Sequence, residues 1–208
     1  WRDLKNEIHN HLQADPSAWV TLLIDYYGIH KKHGFPGWDE SLKIVDKNAR
    51  MNFLEQAMHR EIEDRFGHRF IPYIQLHEFE GLLFSKTEVF DDNVEESEFA
   101  DYNYLQETIT QFDNPEMIND GKTTAPSKRL DRIIIGYQKT VHGSLLAGEI
   151  GLNKIREKCY RFNQWIEKLS QLWTLLKQHT LELKPYQQVV ILLYQIEKRE
   201  NLFCYVAN

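Results

Sequence analysis

Three acidic residues and one histidine set out the chemistry this chain could carry. Asp25 follows the apolar run Trp19-Val20-Thr21-Leu22-Leu23-Ile24, and His77-Glu78-Phe79-Glu80 follows Arg69-Phe70-Ile71-Pro72-Tyr73-Ile74-Gln75-Leu76. Each run reads as a strand, so Asp25, Glu78 and Glu80 lie just beyond the carboxyl ends of two strands, where α/β proteins bind ligands. If the strands are neighbours, the carboxylates converge on one crevice. Carboxylates cost too much to bury unpaired. A hard cation, Mg²⁺ or Mn²⁺, would offset their repulsion. Oxygen-only ligation of that kind suits phosphodiester chemistry, where the metal activates water and stabilises the leaving oxygen. The same residues also have a plainer use. Asp25 can cap the turn after it, and Glu78 can cap the helix that carries Leu82 and Leu83. His77 can shuttle protons or bind metal, or be a satisfied histidine at a strand end.

A second constellation is basic. In Thr124-Ala125-Pro126-Ser127-Lys128-Arg129 the Pro-Ser pair can start a helix whose first turn carries Lys128 and Arg129. Exposed N–H groups with two cations make an anion site. Tyr137-Gln138-Lys139-Thr140-Val141-His142-Gly143 adds a lysine and a histidine beside a glycine, residue types suited to a phosphate backbone. The plain alternative is a solvated helix surface and a loop. The charge distribution has the same two-sided reading. Thr87–Gly121 holds eleven acidic residues and no Lys or Arg, whereas Lys122–Arg161 holds nine Lys or Arg against three acids. Either the later segment presents a basic face to an anionic partner, or the two segments lie against each other and cancel.

Other chemistries find no support. There is no Gly-x-x-x-x-Gly-Lys loop for ATP hydrolysis and no Gly-x-Ser-x-Gly elbow. His30 and His33 sit in a Gly/Pro loop without a third ligand and read as surface residues, and His77 lacks zincin spacing. Cys159 and Cys204 give no disulfide framework or zinc spacing and read as buried apolar side chains in a reducing cytoplasm. At 42% hydrophobic and 27% charged, the 208 residues have an ordinary globular composition, and no apolar run approaches a membrane span. The chain starts at Trp1 inside a helix-like pattern, which suggests that further residues precede it.

The elements that must position these residues are legible from periodicity. Leu4, Ile8 and Leu12 mark a helix over 2–14, and Met51, Leu54, Met58, Ile62 and Phe66 mark another, stopped by Gly67. With the strands at 19–24 and 69–76, this is the alternation of a parallel α/β sheet. Pro72 places the second strand at an edge or a bulge. Residues 88–101 read as an exposed acidic loop or lid. Helices follow at Leu105–Phe112, Leu130–Ile134, Leu145–Ile150 with Gly151 as C-cap, and Phe162–Trp173. Val189–Ile196 can be helix or strand, and helix is favoured because Gln187–Arg199 contains no breaker; Leu202–Val206 can be a terminal strand. The expected domains are an α/β core over 1–125 and a basic, mostly helical region over 126–208.

Five segments together resemble a known family: Trp19-Val-Thr-Leu-Leu-Ile-Asp-Tyr-Tyr-Gly28, Arg69-Phe-Ile-Pro-Tyr-Ile-Gln-Leu-His-Glu-Phe-Glu-Gly-Leu-Leu-Phe-Ser85, Ile118-Asn-Asp-Gly121, Ala125-Pro-Ser-Lys-Arg-Leu130 and Tyr137-Gln-Lys-Thr-Val-His-Gly143. They look like a bacterial family catalogued as domain of unknown function 4276, over roughly residues 1 to 170. That family in turn resembles Toprim domains, including those of OLD-type nucleases. The resemblance implies a Toprim-like parallel-sheet core flanked by helices, a carboxylate-bound divalent metal, and a setting beside an ATPase, often in anti-phage defence or mobile elements.

On this reading the chain is a Mg²⁺- or Mn²⁺-dependent, nucleic-acid-cleaving subunit working with a separate ATPase in the cytoplasm. Asp25 and Glu80 bind the metal and Glu78 assists. His77 or His142 assists proton transfer, Lys139 joins the catalytic set, and Lys128, Arg129 and Lys139 hold the phosphate. The expected partners are the ATPase and nucleic acid, with a homo-oligomer open and no membrane. Two departures stand out. A Toprim domain takes its first glutamate from a strand that would lie upstream of Trp1, and Tyr27 replaces the second aspartate of an Asp-x-Asp pair. Both favour the rival reading, a non-catalytic degenerate Toprim acting as adaptor or sensor for the ATPase or nucleic acid. A toxin directed at RNA is a third reading. A metal between Asp25 and Glu80 would favour the nuclease; a Lys or Arg bridging those carboxylates instead would favour the adaptor.

Overall fold

The computed structural model describes residues 1–62, 66–119, 121, 123–179, 189–195 and 200–207, with side chains described as far as residue 175. Asp120, Lys122, Pro185, Ile196 and the Cys204 side chain lie outside the described residues. The regular elements are α1 (Arg2–Ala14), β1 (Trp19–Asp25), α2 (Trp38–Ser41), α3 (Lys47–Ile62), β2 (Phe70–Gln75), α4 (Glu88–Asn93), α5 (Tyr102–Gln111), α6 (Pro126–Ile133), α7 (Ser144–Ile150), α8 (Leu152–Lys158), α9 (Tyr160–His179), β3 (Val189–Gln195) and β4 (Glu200–Ala207). Composition divides the chain near residue 125. Packing divides it into one unit of Trp1–Leu76 with Leu169–Asn208 and a second of His77–Lys168.

The first unit is mixed α/β. Its four-stranded sheet has the order β2-β1-β3-β4. β1 runs parallel to both β2 and β3, and β4 is antiparallel to β3. Val20, Leu22 and Ile24 are fully buried and so is Thr21, whose hydroxyl donates to the Ile71 carbonyl at 2.7 Å. Both faces of β1 are therefore covered, as its unbroken apolar run requires. Pro72, opposite Leu22, sits on the edge strand β2, where a missing N–H is tolerated. The Ile74 N–H of that edge strand donates to Glu55 Oε1 from α3 at 2.8 Å, which blunts an exposed edge. Leu4, Ile8 and Leu12 form the buried stripe of α1.

One expectation needs correcting here. Val189–Gln195 is the strand β3, not a helix, so the C-terminal region is not wholly helical. Absence of a breaker cannot separate helix from strand in a short apolar run. Here the Val189-Val190-Ile191 run pairs in register with Trp19, Val20 and Thr21. Branched side chains fit that pleated surface, and the pairing is non-local. The terminal strand expected at 202–206 is present as the longer β4.

The second unit is built from helices and short 3₁₀ segments. Its core includes Leu82, Leu83, Phe84, Phe90, Leu130 and Leu146. Gly81 suits the point where Phe79–Ser85 passes Pro115–Met117, because a Cβ there would lie a tight 3.1 Å from the Pro115 carbonyl oxygen. Gly151, at φ 75°, ends α7 as its position predicts.

The acidic segment is folded and not a loose lid. α4 buries Val89 and Phe90, and Asp101 caps α5 by accepting the Tyr104 N–H. It also meets the basic segment directly. Arg132 pairs with Asp101 at 2.7 Å and stacks 3.8 Å above the Tyr104 ring, and Phe99 bridges Ile134. Within this unit the two charge-biased segments lie against each other.

Cys159 is buried beside the Ser85 hydroxyl at 3.5 Å, and burial pushes its thiol up to about 12. The thiolate is the reactive form, so Cys159 is expected to resist iodoacetamide at pH 8 until the chain unfolds. Peptide mapping of the labelled protein checks this; labelling at the same rate in buffer and in urea would refute it.

Candidate functional site

The second unit brings Glu78, Glu80, Lys139 and His142 of the expected site residues into one region. Glu80 lies in the 3₁₀ segment Phe79–Ser85, whose apolar residues anchor it and leave the Glu80 side chain only 4% exposed. A carboxylate that deep needs a partner. Lys139 supplies it, with Nζ 3.0 Å from one carboxylate oxygen and 3.2 Å from the other. Lys139 opens a single π-helical turn, Lys139–Gly143, a device common at functional sites. In that turn His142 stacks on Tyr137 with ring centroids 5.7 Å apart, and His142 Nδ1 accepts the Gln138 N–H at 2.8 Å. The Tyr137 hydroxyl is buried and has no hydrogen-bond partner among the described residues. Burial first, and the nearby Glu80 second, raise its pKa and keep it protonated.

Glu78 does not cap the segment that follows it. Its Oε2 accepts the Ser127 N–H at 2.9 Å, at the second residue of α6. The helix start that the sequence marks as a phosphate site thus already holds a carboxylate from the chain. Pro126 at the first helical position sets up that start and leaves Ser127 as a free donor. Burial raises the Glu78 pKa; the Ser127 contacts oppose the shift and Glu80 adds to it. Because the folded pKa exceeds the unfolded one, the native state binds this proton more readily, so the carboxylate costs stability as pH rises through that window. Glu78→Gln keeps an acceptor oxygen for Ser127 and removes the charge. It should stabilise the protein at pH 7, by less than about 1.5 kcal/mol, and give no gain below the unfolded carboxylate range. Urea unfolding at both pH values checks the sign; a loss at pH 7 would contradict it.

The remaining expected residues take separate places. His77 is buried, with Nδ1 3.2 Å from Asn119 Nδ2. It is the one non-glycine residue among those described with positive φ, at 68°, a strained conformation that tends to mark functional positions. Lys128 pairs with Asp131 at 2.8 Å on the surface. Arg129 is buried and donates to the Thr124 carbonyl and the Thr108 hydroxyl, with its guanidinium facing Tyr104 and Phe112. It is therefore a packing residue and not an exposed phosphate ligand. Asp25 ends β1 in the first unit, opposite Gln75 in the ladder. Glu116, which sequence reasoning did not single out, is 1% exposed and accepts the Arg161 and Phe162 N–H groups at the start of α9.

In the second unit the expected metal-binding carboxylates Glu78 and Glu80 are engaged by the chain itself. Its described residues contain no group of three or more His, Cys, Asp or Glu placed to hold one. Lys139 faces both Glu80 oxygens, and Ser127 engages Glu78. One expected metal ligand and one expected phosphate ligand meet, Glu80 with Lys139, and Glu78 accepts from the start of α6. No helix among the described residues is long and apolar enough to cross a membrane. Comparison with curated proteins gives no match, and neither does comparison with solved structures. The model of one family, described as a domain of unknown function (DUF4276), matches residues 1–170, and the chain belongs to that family.

Proposed function

We propose that this chain is a Toprim-like module serving as a non-catalytic adaptor for a separate ATPase in bacterial anti-phage defence. The ATPase and the defence setting rest on the family resemblance. One observation carries the adaptor over the nuclease: Lys139 holds both oxygens of Glu80, the carboxylate that a metal would need. Other described residues of the basic segment point the same way. Lys128, Arg132 and Lys154 each face an acid of the same unit, and Arg129 is buried. Ile135, Val141, Leu152 and Tyr160 of the same segment are each at least half exposed, apolar side chains better matched to protein than to phosphate.

The rival is a metal-dependent nuclease, which the strained His77 and the raised Glu78 pKa favour. The test uses the full-length protein with DNA and RNA, single- and double-stranded, in Mg²⁺ or Mn²⁺, together with co-purification with the ATPase encoded beside it. The adaptor reading expects stable co-purification and no cleavage. Cleavage that disappears in both Asp25→Ala and Glu80→Ala would replace it with the nuclease.

A further inference from the structure

Four exposed apolar side chains of the second unit lie along α7, α8 and the start of α9. The turn Lys139–Gly143 runs straight into α7, so Val141 and Leu145, four residues apart, share one helix face. They are 56% and 44% exposed. α7 and α8 pack against each other and are joined through Gly151 alone. Leu152 opens α8 and Tyr160 opens α9, and they are 50% and 63% exposed. A Cβ added at Gly148 or Gly151 would meet no neighbouring heavy atom within 4 Å, so the backbone here is open to approach. Single exposed apolar residues are ordinary, whereas neighbouring ones mark interaction sites.

Charge divides this ground in two. α7 packs against α4, and those two helices carry Glu88, Asp91, Asp92 and Glu149 with no Lys or Arg. All four carboxylates are exposed. α8 carries Lys154, Arg156 and Lys158 against Glu157 alone, and Glu157 is taken by Lys154. One half is therefore apolar and acidic, and the adjoining half is apolar and basic. Such a patch is complementary to itself about a two-fold axis, because the acidic half of each copy meets the basic half of the other. Opposite charges set the register, and the apolar side chains supply the buried contact.

We propose that the α7–α8 face is a homodimer surface, on which a second copy of this chain docks about a two-fold axis. The pairing needs neither the ATPase nor nucleic acid, so it stands or falls apart from the adaptor reading.

Sedimentation velocity on the full-length protein, from about 1 to about 100 μM, reads the monomer–dimer equilibrium. Wild type should dimerise within that range, and Leu145→Glu should raise the dimer Kd by about tenfold or more. Asp92→Lys/Glu149→Lys reverses the acidic half, and Lys154→Glu/Lys158→Glu reverses the basic half. Each variant alone sets like charges against each other at both contacts and should be largely monomeric. Mixing the two should restore a dimer, since each reversed half then meets its new complement and each native half keeps its old one. If a reversed variant does not fold by circular dichroism, wild type against Leu145→Glu decides alone. Wild type that stays monomeric throughout the range overturns the proposal. So does a dimer that Leu145→Glu leaves intact, or a pair of folded reversed variants that do not associate on mixing. A monomer whose co-purification with the ATPase is lost in Leu145→Glu would assign the face to the ATPase instead.

Discussion

Arg69→Ala is expected to destabilise the protein by about 4 kcal/mol, an effect far larger than a surface arginine could produce. The Arg69 side chain starts just before β2 and is buried, at 8% exposure. Its guanidinium donates to the Leu12 carbonyl at 2.8 Å, the Asp15 carbonyl at 3.0 Å and the Ala18 carbonyl at 2.7 Å. Those carbonyls belong to the last turn of α1 and the connection into β1. The end of a helix leaves carbonyls without intrahelical partners, and here one side chain satisfies them while its face packs against the Phe66 ring. Alanine would leave them unpaired in a buried place, and would remove a link between α1, β1 and β2. Lysine should recover less than half of the loss, because one ammonium cannot span three separated acceptors as a planar fork does. Urea denaturation followed by circular dichroism measures both variants. A loss below about 1 kcal/mol for Arg69→Ala would mean that water replaces the guanidinium at no cost.

Glu116→Gln should cost about 3 kcal/mol, acting through the start of α9. The two Glu116 oxygens accept the Arg161 N–H at 2.8 Å and the Phe162 N–H at 3.0 Å. These are among the first donors of a 20-residue helix, where a negative charge also meets the favourable end of the helix dipole. Glutamine offers one acceptor and turns an N–H₂ group toward the other donor. One amide would lose its bond, and the charge assistance would vanish for both. Hydrogen exchange gives a site-specific readout: the Arg161 and Phe162 amides should lose protection well before those in the middle of α9. Uniform loss along α9 would point to global destabilisation without a capping role.

How much of this was legible in the sequence differs by element. β1 announced itself as an unbroken apolar run, and α1 through the four-residue spacing of Leu4, Ile8 and Leu12. Pro72 predicted an edge or a bulge because a residue without an N–H cannot pair fully on both sides, and β2 is the edge strand. Gly151 and Pro126 marked a helix end and a helix start through backbone geometry alone. Such signals are local, and local physics suffices to read them. The acidic segment misled because charge density was read as exposure. Val89 and Phe90 bury while Glu88, Asp91 and Asp92 stay at the surface, an amphipathic pattern too short to show in a single turn and a half.

The candidate site divides along the same line. The residue types at Asp25, Glu78, Glu80, Lys128, Arg129 and Lys139 belong to the sequence, together with the strand ends and helix start that carry them. The sequence also limits the cluster to carboxylates, cations and a phenol. It does not say which cation meets which carboxylate, since Glu78 to Ser127 and Glu80 to Lys139 are contacts over 49 and 59 residues. Only the tertiary structure decides that Lys139 faces Glu80, that Glu78 takes the helix start offered to a phosphate, that Arg129 turns inward, and that Val189–Gln195 is a strand. The physical reason is common to all four. Burial makes an unpaired charge or an unpaired backbone group expensive, and which partner relieves that cost is settled by chain segments far apart in sequence.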